Sequence, residues 1–118
     1  MAKLIRKSRL IVEAMSEDSI AAPGNRRANY IIVSVTGSNG APETGLTVKN
    51  FKVDPMIVGA GGALVNIVSV NPGRLPGFYH INVLPIKRET WKSGVYIFAV
   101  AVEKSFKCGQ NLATVLMD

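Results

Sequence analysis

The sequence predicts an all-β domain, an antiparallel β-sandwich of about seven strands, on three observations. From Asn29 onward apolar residues recur at every second position, the spacing of a strand with one buried face. Turn residues interrupt these runs about every ten positions, as in sandwiches and barrels. No long helical periodicity lies between them, which argues against parallel βαβ architecture, whose crossovers need helices.

The elements follow in order. Arg9 to Ala14 reads as the first strand because β-branched Ile11 and Val12 favour extended backbone. Leu4, Ile5, Ser8, Ile11, Val12 and Met15 also fall at helical spacing, so a helix is the competing reading. Ser16 to Arg27 mixes small, acidic, Pro and Gly residues and reads as a loop. Ile31, Val33 and Val35 then alternate with Tyr30, Ile32, Ser34 and Thr36, and the Asn39-Gly40 pair marks a tight turn. Leu46 and Val48 share a face, Lys49-Asn50 breaks the register, and Phe51 and Val53 resume it across a bulge or bend. Ala63 to Val70 is a strand of ambiguous facing, with either Val65 and Ile67 or Leu64, Val68 and Val70 pointing inward. Tyr79, Ile81 and Val83 form one inward row, and Tyr96, Phe98, Val100 and Val102 another. Asn111 to Met117 closes the sheet.

A chain of 118 residues fits one domain, since a second core would be too small to hold itself together. Its 47% hydrophobic and 19% charged residues are the balance of a globular protein. A single cysteine, Cys108, excludes an intramolecular disulfide and hence a disulfide-stapled scaffold. Val95 to Val102, the longest glycine-free apolar stretch, is far below the roughly 20 residues of a spanning helix. Arg6, Lys7, Ser8 and Arg9 interrupt any apolar run at the start. No secretory signal is evident, and the chain reads as cytoplasmic at synthesis, with export by another route left open.

Residues Tyr30 to Met117 resemble the immunoglobulin-like and transthyretin-like β-sandwich modules common in bacterial proteins. The resemblance is carried by Thr44-Gly45-Leu46-Thr47 with Asn50-Phe51, by Pro76-Gly77-Phe78-Tyr79, and by Gly94-Val95-Tyr96 leading into the final strand pair. It implies an immunoglobulin-like sandwich in which a Gly-x-Tyr entry sets the ring over the end of the core. The paired cysteines of antibody-type domains are missing. The resemblance implies a module that binds or assembles and carries over no functional residue, because function on such folds lives in loops and edges.

Catalytic and cofactor chemistry finds little support. Met56 to Ala63 is glycine-rich like a dinucleotide-binding turn, but Leu64 replaces its third glycine and Pro72 stops any following helix. No acidic residue lies between Met56 and Arg88 to hold a ribose. One histidine and one cysteine do not make a zinc site, and Glu17-Asp18 is the only adjacent acidic pair for calcium. A nucleophilic triad would have to use His80, which the alternation places on the outer face. The expectation is therefore a non-enzymatic chain without cofactor or metal. A deep pocket around His80 or Asp54 is the feature that would argue otherwise.

The net charge of +6 and isoelectric point near 9.8 favour acidic partners. The cations are dispersed along the chain, at Arg26-Arg27, Lys49 and Lys52, Arg74, Lys87, Arg88 and Lys92, and Lys104 and Lys107, and only the N-terminal group of Lys3, Arg6, Lys7 and Arg9 is a true cluster. Trp91 lies between Arg88 and Lys92, where stacking on a nucleic-acid base competes with the simpler role of plugging the end of the core. The leading expectation is a protein-binding or self-associating assembly module. It would act through the Ser16–Arg27 loop, the Gly37–Thr44 turn, the Gly59–Gly62 loop or an open sheet edge. The alternative is a polyanion-binding protein, for nucleic acid or an anionic surface, using Arg6, Lys7, Arg9, Arg26, Arg27, Lys87, Arg88, Trp91 and Lys92.

Overall fold

The computed structural model describes residues 8–17, 21–57 and 65–117. They form seven strands: β1 (Ser8–Glu17), β2 (Asn29–Gly37), β3 (Phe51–Ile57), β4 (Val65–Pro72), β5 (Phe78–Pro85), β6 (Gly94–Lys104) and β7 (Lys107–Met117). A single 3-10 turn, Val48–Asn50, precedes β3. The first segment is therefore a strand, longer than Arg9 to Ala14, and the helical alternative falls away for its described part.

Period-two alternation sets the core. Ile31, Val33 and Val35 of β2 are fully buried against Tyr79, Ile81 and Val83 of β5 and Tyr96, Phe98, Val100 and Val102 of β6. Leu10 and Val12 of β1, Phe51 and Val53 of β3, and Ala113, Val115 and Met117 of β7 complete it. The facing of β4 resolves through a bulge. The register against β5 shifts between Ile67 and Ser69, so Val65 and Ile67 on one side of it and Val70 on the other all pack on the core.

The strands form one continuous sheet, in the order β3-β6-β7-β1-β2-β5-β4, and its outer strands β3 and β4 approach each other. The sheet is thus barrel-like and nearly closed. It is also mixed, where the alternation suggested antiparallel pairing throughout. β1 pairs antiparallel with β2 over Leu10 to Glu17, but its first residues, Ser8 and Arg9, pair parallel with Lys107 and Cys108 of β7. Alternation reports which face is buried and says nothing of strand direction, so the crossover at β1 is invisible to it. Two residues of β7 make the crossover possible. A Cβ on Gly109 would stand 2.3 Å from the Leu10 carbonyl oxygen, so only glycine lets the two backbones come this close. Asn111 then donates from Nδ2 to the Val12 carbonyl at 2.8 Å, satisfying β1 where the ladder has parted.

Where Leu46 and Val48 suggested a strand, the chain runs as a loop. Leu46 is buried, and its N–H donates to Tyr79 Oη at 3.3 Å, while that hydroxyl donates to the Glu43 carbonyl at 2.6 Å. The register break at Lys49-Asn50 is the 3-10 turn. Asn50 Oδ1 accepts from Thr47 N at 2.8 Å and Nδ2 donates to the Glu103 carbonyl at 2.9 Å. A side chain that satisfies two separate backbone groups ties the loop to β6.

Candidate binding surfaces

The strands run between two ends, one bearing the β6–β7 hairpin at Ser105-Phe106 and the other bearing Trp91. β2 spans the distance with nine residues, about 30 Å at the usual strand rise. The sequence-predicted cations divide between these ends. Arg9 pairs beside Cys108 at the hairpin end. Arg26, Arg27, Lys87, Arg88 and Lys92 come together at the Trp91 end, beyond Asn29 and Pro85. Arg6 and Lys7 lie outside the described residues. No single surface gathers all the cations the sequence put forward.

The Trp91 end is built from two loops far apart in sequence. Gly24 N donates to the Trp91 carbonyl at 2.8 Å and Trp91 N donates to the Asn25 carbonyl at 3.0 Å, a two-bond clasp between the loops. The Arg26 guanidinium reaches across them, donating to the Pro85 carbonyl at 2.9 Å and also to the Lys87 carbonyl. Five donors in a planar fork suit Arg to this bridging role. Trp91 itself is fully buried and donates its indole N–H to the Arg27 carbonyl at 2.7 Å. Its ring packs 5.2 Å from Tyr96, which in turn lies 5.9 Å from Phe98. Trp91 therefore belongs to the core and is removed from the candidate contact residues, since a ring with no exposed face cannot stack on a base. Arg27, Lys87 and Arg88 are exposed and Lys92 half-buried.

At the hairpin end much of the charge is compensated. Glu43, almost buried, holds Lys107 at 3.0 Å and Lys104 at 3.8 Å, and Lys52 lies 3.6 Å from Asp54. These contacts pin the chain after the Gly37–Thr44 turn to the β6–β7 hairpin. The tip of that turn, Ser38 to Pro42, is exposed and closed by Gly37 N donating to the Ala41 carbonyl at 2.8 Å. The Gly59–Gly62 loop lies outside the described residues.

A further surface did not emerge from the loops or edges at all. The outward positions of β6 and β7 pair as Val95 with Leu116, Ile97 with Thr114 and Ala99 with Leu112. Val95 is 42% exposed, Leu112 55% and Leu116 63%. On the neighbouring β1, Ile11 and Met15 also face outward, 48% and 61% exposed. The signal was present in the sequence. Val95 to Val102 is apolar at both alternations, whereas a strand with one solvated face should be polar at every second position.

His80 lines a shallow groove with Tyr30, Asn71, Arg74 and Asn82 on the outer side of β2, β5 and β4. Asn82 and Asn71 both direct Nδ2 to Ser69 Oγ, at 2.7 and 3.5 Å. Asp54 is on β3, elsewhere on the surface and beside Lys52. Among the described residues no three metal-ligating side chains cluster, and no helix is long and apolar enough to cross a membrane.

No family model matches the chain, and neither a curated protein nor a solved structure matches it.

Proposed function

We propose that this chain is a non-enzymatic assembly module that binds a second copy of itself through the outward face of β6, β7 and β1. The observation that carries the reading is the presence of five large apolar side chains, Ile11, Met15, Val95, Leu112 and Leu116, on three neighbouring strands. Single exposed hydrophobes are ordinary, but several large ones on neighbouring strands favour a contact surface. The near approach of β3 and β4 leaves little open edge to recruit a strand, which moves the contact from an edge to a face.

A second copy fits this face by volume. Along β6 the outward side chains shrink from Val95 and Ile97 to Ala99 and Ala101. Two such rows packed in opposite directions would set the large residues of one copy on the small residues of the other. That arrangement is the isologous geometry of a two-fold dimer.

An immunoglobulin-like sandwich is the finer reading of the fold. Its support is the grouping of β1, β2, β5 and β4 in one set of antiparallel ladders and of β3, β6 and β7 in another. These are the strand sets of a seven-stranded immunoglobulin domain. Tyr96, near the start of β6, accepts from the Lys92 N–H four residues upstream at 2.9 Å, which resembles the tyrosine corner of such domains.

The experiment is disulfide cross-linking of Thr114→Cys in a Cys108→Ser background, since Thr114 sits between Leu112 and Leu116 on the outward row of β7. A covalent dimer forming much faster than from Ser38→Cys, at the exposed turn, is the expected result. Equal rates at the two positions would remove the face from the account.

A further inference from the structure

We infer that the two clasped loops at the Trp91 end form a site for the phosphate backbone of a nucleic acid. This surface is separate from the β6–β7–β1 face and the inference does not rest on self-association. Arg26, Arg27, Lys87, Arg88 and Lys92 come from two stretches about 60 residues apart, as the 59 and 61 positions between Arg26 and its two carbonyl partners show. Glu89 is the one acid among the loop side chains described here. The ion pairs of the hairpin end have no counterpart among the described residues of these loops.

Arg26 is a positioning residue. Its guanidinium is occupied by main-chain carbonyls, and it holds Lys87, whose φ of +53° is unusual for a residue with a side chain. The Glu89 N–H donates to the Ile86 carbonyl at 3.0 Å, fixing the turn from inside. Arg27, Lys87, Arg88 and Lys92 are thus carried on a braced frame. Cations held in place lose less conformational freedom on binding than cations on a floppy arm.

The chemistry of the surface selects the partner. The loops' aromatic, Trp91, is buried, so base stacking is unavailable and recognition is restricted to charge and hydrogen bonds. Ile86 is half-buried and Pro85 buried, which leaves little to insert into a lipid surface. A protein partner would want a desolvated apolar or aromatic anchor at the centre of its contact. Phosphodiesters need only the cations, and Arg offers them a bidentate fork. Binding by these four side chains is independent of base sequence.

The test is fluorescence anisotropy of a labelled mixed-sequence DNA duplex, titrated with the full chain between about 50 and 200 mM salt. Four phosphate contacts at about −0.9 each give a log–log salt slope no steeper than about −3.6. The variant Arg27→Ala/Arg88→Ala/Lys92→Ala is expected to weaken binding more than about tenfold at the lower salt and to flatten the slope by up to about 2.7. A charge-matched variant at the other end, Lys49→Ala/Lys52→Ala/Arg74→Ala, is expected to do much less. The emission of the lone tryptophan checks that each variant is folded. If the first triple fails that check, Arg88→Glu at an exposed position takes its place, with the same direction of effect expected. Equal losses from the two triples, or wild-type binding without salt dependence, would overturn the assignment. Tighter binding to poly-glutamate or to anionic vesicles than to DNA would overturn the choice of nucleic acid.

Discussion

The indole N–H of Trp91 meets the carbonyl of Arg27 at 2.7 Å, joining positions 64 residues apart beneath the basic surface. The bond explains how a loop rich in small and polar residues acquires a defined path. Replacing Trp91 with Phe removes the donor and part of the ring volume while keeping an aromatic core residue. The cost is expected to be about 1–3 kcal/mol, from an unsatisfied carbonyl and poorer packing. Urea unfolding of the variant measures it. Arg27→Ala, which keeps the carbonyl, is expected to stay within about 0.5 kcal/mol of wild type.

Gly109→Ala tests the β1 crossover. A methyl group 2.3 Å from the Leu10 carbonyl oxygen and 3.0 Å from Val12 Cγ2 has nowhere to go without parting β1 from β7. A loss of about 2 kcal/mol or more is expected. Amide hydrogen exchange should quicken near Leu10 and Val12 before it does so in β5. Wild-type exchange in β1 of the variant would show that the close approach is not needed.

Tyr79→Phe removes a hydroxyl that donates to the Glu43 carbonyl and accepts from Leu46 N in a buried setting. Two main-chain groups lose their partner at once, and about 2 kcal/mol of stability should go with them. The ring of Phe51, 5.3 Å away, keeps its packing, so the near-ultraviolet spectrum should change little. An unchanged unfolding midpoint would mean that water takes over both bonds.

Glu43→Gln addresses the hairpin end. The carboxylate is nearly buried but its partners Lys104 and Lys107 are about half exposed, so solvent screens the pairs. The expected loss is about 1 kcal/mol at low salt, shrinking as salt is added. A loss that does not change with salt would point to packing as the cause.

The core rows were legible because period two is a direct consequence of the pleat. Ile31 to Val35, Tyr79 to Val83 and Tyr96 to Val102 all fall inward as the alternation requires. Features that depend on what a strand meets across space were not legible. The parallel pairing of Ser8 and Arg9 with β7 leaves no mark in either segment. The facing of β4 was ambiguous because the bulge between Ile67 and Ser69 makes both phases correct in turn. Charge grouping failed in the same way. Arg9 and Arg26 stand 17 positions apart in sequence but at opposite ends of the sheet, while Arg26 touches the backbone of Lys87. The apolar outward face is marked in the sequence by the run from Val95 to Val102, which is apolar at both alternations.

The most direct measurement of the central claim is sedimentation equilibrium of the wild-type chain and of Leu112→Asp and Leu116→Asp over a wide concentration range. Carboxylates in the middle of an apolar contact should abolish association without touching the core, whose inward residues on β7 are Ala113, Val115 and Met117. The account predicts a wild-type mass rising to that of a dimer, with both variants monomeric and their circular dichroism unchanged. A wild-type chain that stays monomeric at every concentration, or variants that dimerise as it does, would contradict it.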